Sequence, residues 1–388
     1  MNLDRETGGL TFQDNINNYI HIGSDISIDA NMVMQNFGIP WYFEQGLDID
    51  IWGVTLAIEP GTEVLVGNGY SIFIENNSIL TAEGTADNPI VFHGLTGIPG
   101  DWSGITVDGG ELDMAYCTIT GSDGNGITLL NGGTLGYQDP NPLDEKIFNN
   151  NIIESADSPI SSNWISNLQN SNIGMGNTFN STNGANFIYI ATNNSIWTDM
   201  TMQNFGIPWY FAQGLDIDSW GVTLAIEPGT KVLVESGYSI YVGQNSTLEA
   251  FGTNTDRIIF IGADETMPGY WQGIYIDSNG TALLEYCDIS GGGSSNGWGW
   301  GGDSCLAVEM DGMAYLRNIN ISNSGDYGIA VYDDGWDISY IDHDGDGVSD
   351  NGTINFTPDS ANNVYTWDWM FGSSSQYMPA ATPISTWP

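Results

Sequence analysis

Nine residues near the end of the chain, Asp342 to Asp350 (DHDGDGVSD), place carboxylates at the first, third, fifth and ninth positions of a loop. Hard cations take oxygen ligands, and this spacing lets one short loop wrap a calcium ion. Asp342, Asp344, Asp346 and Asp350 would supply side-chain oxygens and Val348, at position seven, a backbone carbonyl. Gly347 at position six permits the sharp bend that wrapping needs. Position twelve is Thr353 rather than a bidentate glutamate, so the expected affinity is modest, roughly 10⁻⁴–10⁻³ M. Calcium is the one cofactor that the residues suggest.

Two further groups could do chemistry. Trp298 and Trp300 alternate with glycine in GGGSSNGWGWGGDS, a stretch without apolar neighbours to bury them, so they either stack on sugar rings, seat in a partner's pocket or fold back as a lid. Asp108 with Asp113, or Asp277 with Glu285, would form the carboxylate pair of an inverting glycosidase if each pair shared one face of adjacent coils. With 48 acidic residues, however, some pairs approach by chance, and none stands out. The acids face only five basic residues, giving a net charge of −43. Such a field repels nucleic acid and anionic polymers and attracts divalent cations, which excludes a nucleic-acid partner.

The elements that must position these residues are duplicated. MQNFGIPWYF occurs at Met34–Phe43 and again at Met202–Phe211, and from Met34 to Val66 the two copies differ only at Glu44/Ala212, Ile51/Ser219 and Glu63/Lys231. The histidines do not share this symmetry, since His21 and His93 align with Tyr189 and Ile261. Within each copy the period is two. VTLAI, KVLV, YSIYV and IIFI are short β-branched and aromatic runs closed by EPGT, ESG or GTNTD, which reads as strands and tight turns. The pattern continues unchanged along the chain and lacks clean two-residue hairpin turns, so it predicts an all-β parallel coil rather than a sandwich. The expected organisation is a lead at 1–17, β-helix units at 18–185 and 186–357, the calcium loop at 342–353 within the second, and an aromatic tail at 358–388. Residues 136–185 are the least regular part.

GVTLAIEPGTEVLV, ILTAEGTADNPIVFHG, PGDWSGITV and LDMAYCTITG, repeated as GVTLAIEPGTKVLV, TLEAFGTNTDRIIFIG, PGYWQGIYI and LLEYCDISG, resemble consecutive coils of right-handed parallel β-helix surface proteins of bacteria and archaea. The calcium loop is similar to those of thrombospondin type 3 repeats and dockerins. The resemblance implies a right-handed parallel β-helix (solenoid) of two tandem duplicated units, and it implies fold better than function. Enzymes of this fold mostly cut acidic polysaccharides with a cation and a basic residue. Arg5, Lys146, Lys231, Arg257 and Arg317 offer poor candidates, lying before the fold, in an interruption, at tolerant turns or on a stacked surface.

The reading is therefore a non-catalytic extracellular surface or matrix protein, acting as adhesin, spacer or self-assembling filament or layer subunit. The alternative is a secreted β-helix glycoside hydrolase or a carbohydrate-binding module acting on neutral glycan. No run of eighteen apolar residues predicts a membrane span, and MNLDRETGGL shows no export signal. The tail bears Trp367, Trp369, Phe371 and Trp387, apolar groups suited to capping the coil or docking head to tail on another copy. Cys117 and Cys287 are expected to be stacked small apolar residues, and Cys287 and Cys305 are candidates to bridge neighbouring coils. Sequons at Asn76, Asn180, Asn193, Asn245, Asn279, Asn320, Asn351 and Asn355 mark where glycan would attach.

Overall fold

A computed structural model describes residues 11–24, 26–136, 147–182, 184–192, 195–277, 279–294, 304–309, 312–332, 354–357, 367–371 and 374–378. Within them the protein is all-β apart from a five-residue helix, Ile165–Gln169, and no helix is long and apolar enough to cross a membrane. The chain divides into two compact units, Met1–Tyr189 and Ile190–Pro388.

In the first unit the strands return to three parallel sheets in rotation. The first face stacks Ile20–Ile22, Trp41–Phe43, Glu63–Val66, Ile90–Gly94, Cys117–Ser122, Ile152–Ser155 and Thr178–Ser181. The second stacks Leu47–Ile49, Ile72–Glu75, Ile105–Asp108, Ile127–Leu130 and Ile160–Ser162, and the third Met32–Met34, Thr55–Ile58, Ile79–Glu83, Glu111–Ala115 and Thr134–Leu135. After Ser162 the short helix occupies the place of a third-face strand. Parallel sheets normally need helices to cover them. Here each face is covered on its inner side by the other two, so alternate residues point inward and the rest meet solvent.

The interior is a set of ladders. Leu47, Ile72, Ile105, Ile127 and Ile160 are register partners in successive coils, each at most 1% exposed, and Trp41, Val64, Phe92 and Ile119 form a second ladder. Each buried aliphatic side chain contributes about 1.5–3 kcal/mol. The second unit repeats the device with Leu215, Ile240, Ile274 and Leu306, and with Trp209, Val232, Phe260, Ile289 and Ile321. Its strands follow the same rotation, for example Lys231–Val234, Ser239–Val242 and Thr247–Phe251 in one coil.

The repeated decapeptide builds the corner between the third and first faces. Asn36 accepts from the Gly38 amide at its side-chain oxygen and donates to the Pro60 carbonyl of the next coil, while Trp41 turns inward and donates Nε1–H to the Gln35 carbonyl at 3.0 Å. In the next layer EPGT makes a turn closed by the Thr62 amide on the Glu59 carbonyl, with Pro60 and then Gly61 (φ +78°) at its centre. The Glu59 carboxylate reaches back to accept from the Asn36 amide at 2.8 Å. Asn204, Trp209, Glu227 and Thr230 make the same bonds in the second unit. The two motifs are thus halves of one interlayer clasp.

All three cysteines are buried and free. The candidate bridge between Cys287 and Cys305 is not made: Cys287 lies on a first-face strand with its thiol on the Ala250 carbonyl, whereas Cys305 lies on a second-face strand against Ser322. Burial pushes the Cys117 thiol up to about 12 and that of Cys305 up to about 11.

Candidate functional site

The corner between the second and third faces carries the most unusual surface groups. In the first unit Ile51, Trp52, Gly53 and Val54 form a turn closed by the Val54 amide on the Ile51 carbonyl, with Gly53 at φ +71°. Trp52 occupies the second position of the turn and is 76% exposed. The equivalent turn in the second unit runs from Ser219 to Val222, with Gly221 at φ +78° and Trp220 75% exposed. Trp197 is also exposed, at 65%. Trp197 lies between Ser195, which bridges Asp216, and Asp199, which accepts from the Thr223 amide, so it occupies that same corner one coil earlier. Four other tryptophans, Trp41, Trp102, Trp209 and Trp271, are at most 1% exposed, each with its indole N–H bonded to a backbone carbonyl.

These turns are held rigidly. Thr223, just after the Trp220 turn, donates its amide to Asp199 of the preceding coil at 2.8 Å, and Ser246 of the following coil donates to the Ser219 carbonyl at 2.9 Å. In the first unit Asn31 holds the Thr55 amide in the same way, and Asn76 donates to the Asp50 carbonyl.

Beside this corner the outer side of the second face forms a trough of about 320 Å³ in the first unit, lined by Gln45, Asp48, Tyr70, Ser71, Phe73 and Glu75. Tyr70 and Phe73 offer exposed ring surface and the carboxylates offer acceptors. At the corresponding positions the second unit has Gln213, Asp216, Tyr238 and Tyr241. Tyr241 stacks on Tyr275 of the next coil at 5.7 Å between centroids and donates its hydroxyl to Asp277. Burial and the neighbouring Asp218 carboxylate raise Asp216 above the usual carboxylate range.

On the first face, Tyr210 and Tyr270 both donate their hydroxyls to Glu235. Burial alone would raise the Glu235 carboxyl, but these two hydroxyls and the Ser236 amide bring it below its ordinary value. The basic residues act in stacking. Arg317 pairs with Glu285, its register partner, and Lys231 with Glu265 at 2.5 Å. Arg257, expected to be a tolerant turn residue, ties three layers, donating to Asp288 Oδ1 at 2.8 Å and to the Cys287 and Asn318 carbonyls at 2.7 Å.

The sequence-derived candidates fare unequally. Asp342, Asp344, Asp346, Val348 and Asp350 lie outside the described residues, as do Trp298, Trp300 and Trp387. Among the described residues no group of three or more His, Cys, Asp or Glu side chains is arranged to hold a metal ion. Trp367, Trp369 and Phe371 fall in a strand, Trp367–Phe371, that pairs antiparallel with Ser374–Met378, unlike the parallel coils. The two carboxylate pairs do not share a face. Asp108 ends a second-face strand and accepts from Asn131, whereas Asp113 is buried in a third-face strand and accepts from Thr81. Asp277 likewise follows a second-face strand, while Glu285 ends a third-face one.

Trp52 and Trp220 were missed from the sequence, although a signal was present: IWGVT and SWGVT retain tryptophan before a turn glycine in both copies. Comparison with protein-family models and with curated proteins yields no match.

Proposed function

We propose that the protein is a non-catalytic surface or matrix component of the extracellular space: two tandem duplicated units of right-handed parallel β-helix serving as spacer, adhesin or self-assembling subunit. In this reading calcium binds at Asp342, Asp344, Asp346, Val348 and Asp350, and the tail bearing Trp367, Trp369, Phe371 and Trp387 joins one copy to the next, head to tail, or to other surface components. The supporting observation is the pair of equivalent turns that hold Trp52 and Trp220 about three-quarters exposed above a core packed by stacked ladders. A large indole kept in water at the same turn of both units has little use in folding and much use in contact with a partner. Rigid coils suit such presentation, because binding then orders few groups.

The test is electron microscopy of the purified protein with and without calcium, together with incubation on neutral polysaccharides assayed for new reducing ends. Filaments or layers that depend on calcium, without release of reducing ends, support the reading. Turnover that disappears on replacing a carboxylate pair favours a glycoside hydrolase instead and overturns it.

A further inference from the structure

We propose that the corner bearing Trp197 and Trp220 in the second unit is a stacking platform for a neutral polysaccharide, a reading that rests on the surface-protein function above and names its ligand class. The two indoles sit on adjacent coils at one corner, 65% and 75% exposed, with the exposed carboxylate of Asp218 two residues before Trp220 on the same coil. Indole faces gain by packing on the apolar C–H faces of a sugar ring, and a carboxylate accepts from sugar hydroxyls. The turn beneath Trp220 is clasped by Asp199 on one side and Ser246 on the other, so binding would cost little ordering.

Charge selects among polymers. The chain carries −43 against five basic residues, a field that turns away uronates, sulfated glycans and phosphate-bearing polymers. A lysine-rich segment would be drawn by the same field, but its hold would come from charge over the whole acidic surface. It would need no paired indoles at one corner and would collapse in salt. Stacking on an uncharged chain persists when the field is screened.

The first unit supplies an internal control. Its turn keeps Trp52, but the position equivalent to Trp197 is Asp29, so it has one indole where the second unit has two.

The experiment measures binding of cellohexaose, mannohexaose and maltohexaose to the full chain by calorimetry in 0.15 M and 1 M salt, with alginate and poly-lysine as charged probes. At least one hexaose is expected to bind, equally at both salt concentrations, with alginate excluded. Trp197→Ala and Trp220→Ala should each weaken that binding about thirtyfold, whereas Trp52→Ala should change it less than about threefold, as expected for a site in the second unit. All three side chains are exposed, so folding, checked by circular dichroism, should be unaffected. Failure of every hexaose to bind, binding indifferent to Trp197 and Trp220, or binding only to poly-lysine that vanishes in 1 M salt would overturn the platform while leaving the scaffold reading intact. Shortening of a bound hexaose would overturn the non-catalytic reading and leave the platform standing.

Discussion

Gly94 provides a severe test of how the coils are packed. It ends the first-face strand Ile90–Gly94, and a Cβ placed on it would lie 1.4 Å from Asp101 Oδ1 and 2.2 Å from Asp101 Cγ. Gly94→Ala must therefore expel the Asp101 carboxylate, which is only 7% exposed and accepts from the Thr96 amide at 2.7 Å and the Thr96 hydroxyl at 2.6 Å. Hydrogen bonds to a charged group contribute about 1.5–3 kcal/mol each, so the loss of two comes to about 3–6 kcal/mol. Asp101→Ala gives up the same bonds without a clash and should cost about 3 kcal/mol. In the double variant the methyl group enters space already vacated. Adding Gly94→Ala to Asp101→Ala should then cost less than about 1 kcal/mol, a coupling of roughly 3 kcal/mol in a double-mutant cycle. The assay is urea unfolding of the four proteins, read from midpoints at constant slope. Gly262→Ala, at the equivalent site, meets Tyr270 at 2.8 Å and Trp271 at 3.2 Å and should cost about 1–3 kcal/mol, as overpacking does. Additive effects of Gly94→Ala and Asp101→Ala would refute the reasoning, because the carboxylate would then not be what fills the space.

The buried thiols make the fold sensitive to alkali. Cys117 and Cys305 are raised by burial from 9.0 to about 12 and 11, so between these values and pH 9 the unfolded chain loses protons that the folded chain keeps. Stability should fall as pH rises above 9 by about 1.4 kcal/mol per pH unit for each thiol; a Cys117→Ala, Cys305→Ala variant should show a shallower decline in urea midpoint, and an unchanged slope would count against the assignment. Trp102→Phe removes the indole donor from the Thr120 carbonyl, now bonded at 2.9 Å in a fully buried setting, and should cost about 1–3 kcal/mol by thermal unfolding. Chelation of calcium should speed proteolysis within residues 336–388, and calcium at a hundredfold excess over its dissociation constant should stabilise that region by about 2.7 kcal/mol. Indifference to chelation would remove calcium from the proposed function.

The strands and their turns were legible because their signals are local. Alternation in VTLAI and KVLV gives the inward and outward residues directly, and Pro60 followed by Gly61 specifies a turn that any neighbouring layer would accept. What lay hidden depends on residues one coil away. Trp52 sits between Ile51 and Gly53 in a run as apolar as the one around the buried Trp41, and only its place in the turn sends it to solvent. Arg257 looks like a variable turn residue until Asp288 and Asn318, 31 and 61 positions on, arrive in the two following layers. Cys287 and Cys305 are close in sequence, but the chain turns a corner between them. Asp108 and Asp113 are separated in the same way.

The parallel coil itself is tested most directly by pairs of spin labels on its outer surface. Thr106 and Thr128 are register partners on adjacent coils of the second face, 22 residues apart, so their backbones should lie about 4.8 Å from each other. Thr106 and Thr118, only 12 residues apart, lie on the second and first faces. With cysteines introduced at these pairs and the three native thiols shielded by burial, the 106/128 pair should show strong dipolar broadening and the 106/118 pair much less. Strong broadening for 106/118 with none for 106/128 would mean that the chain doubles back in hairpins, and the stacked ladders and their exposed corners would not exist.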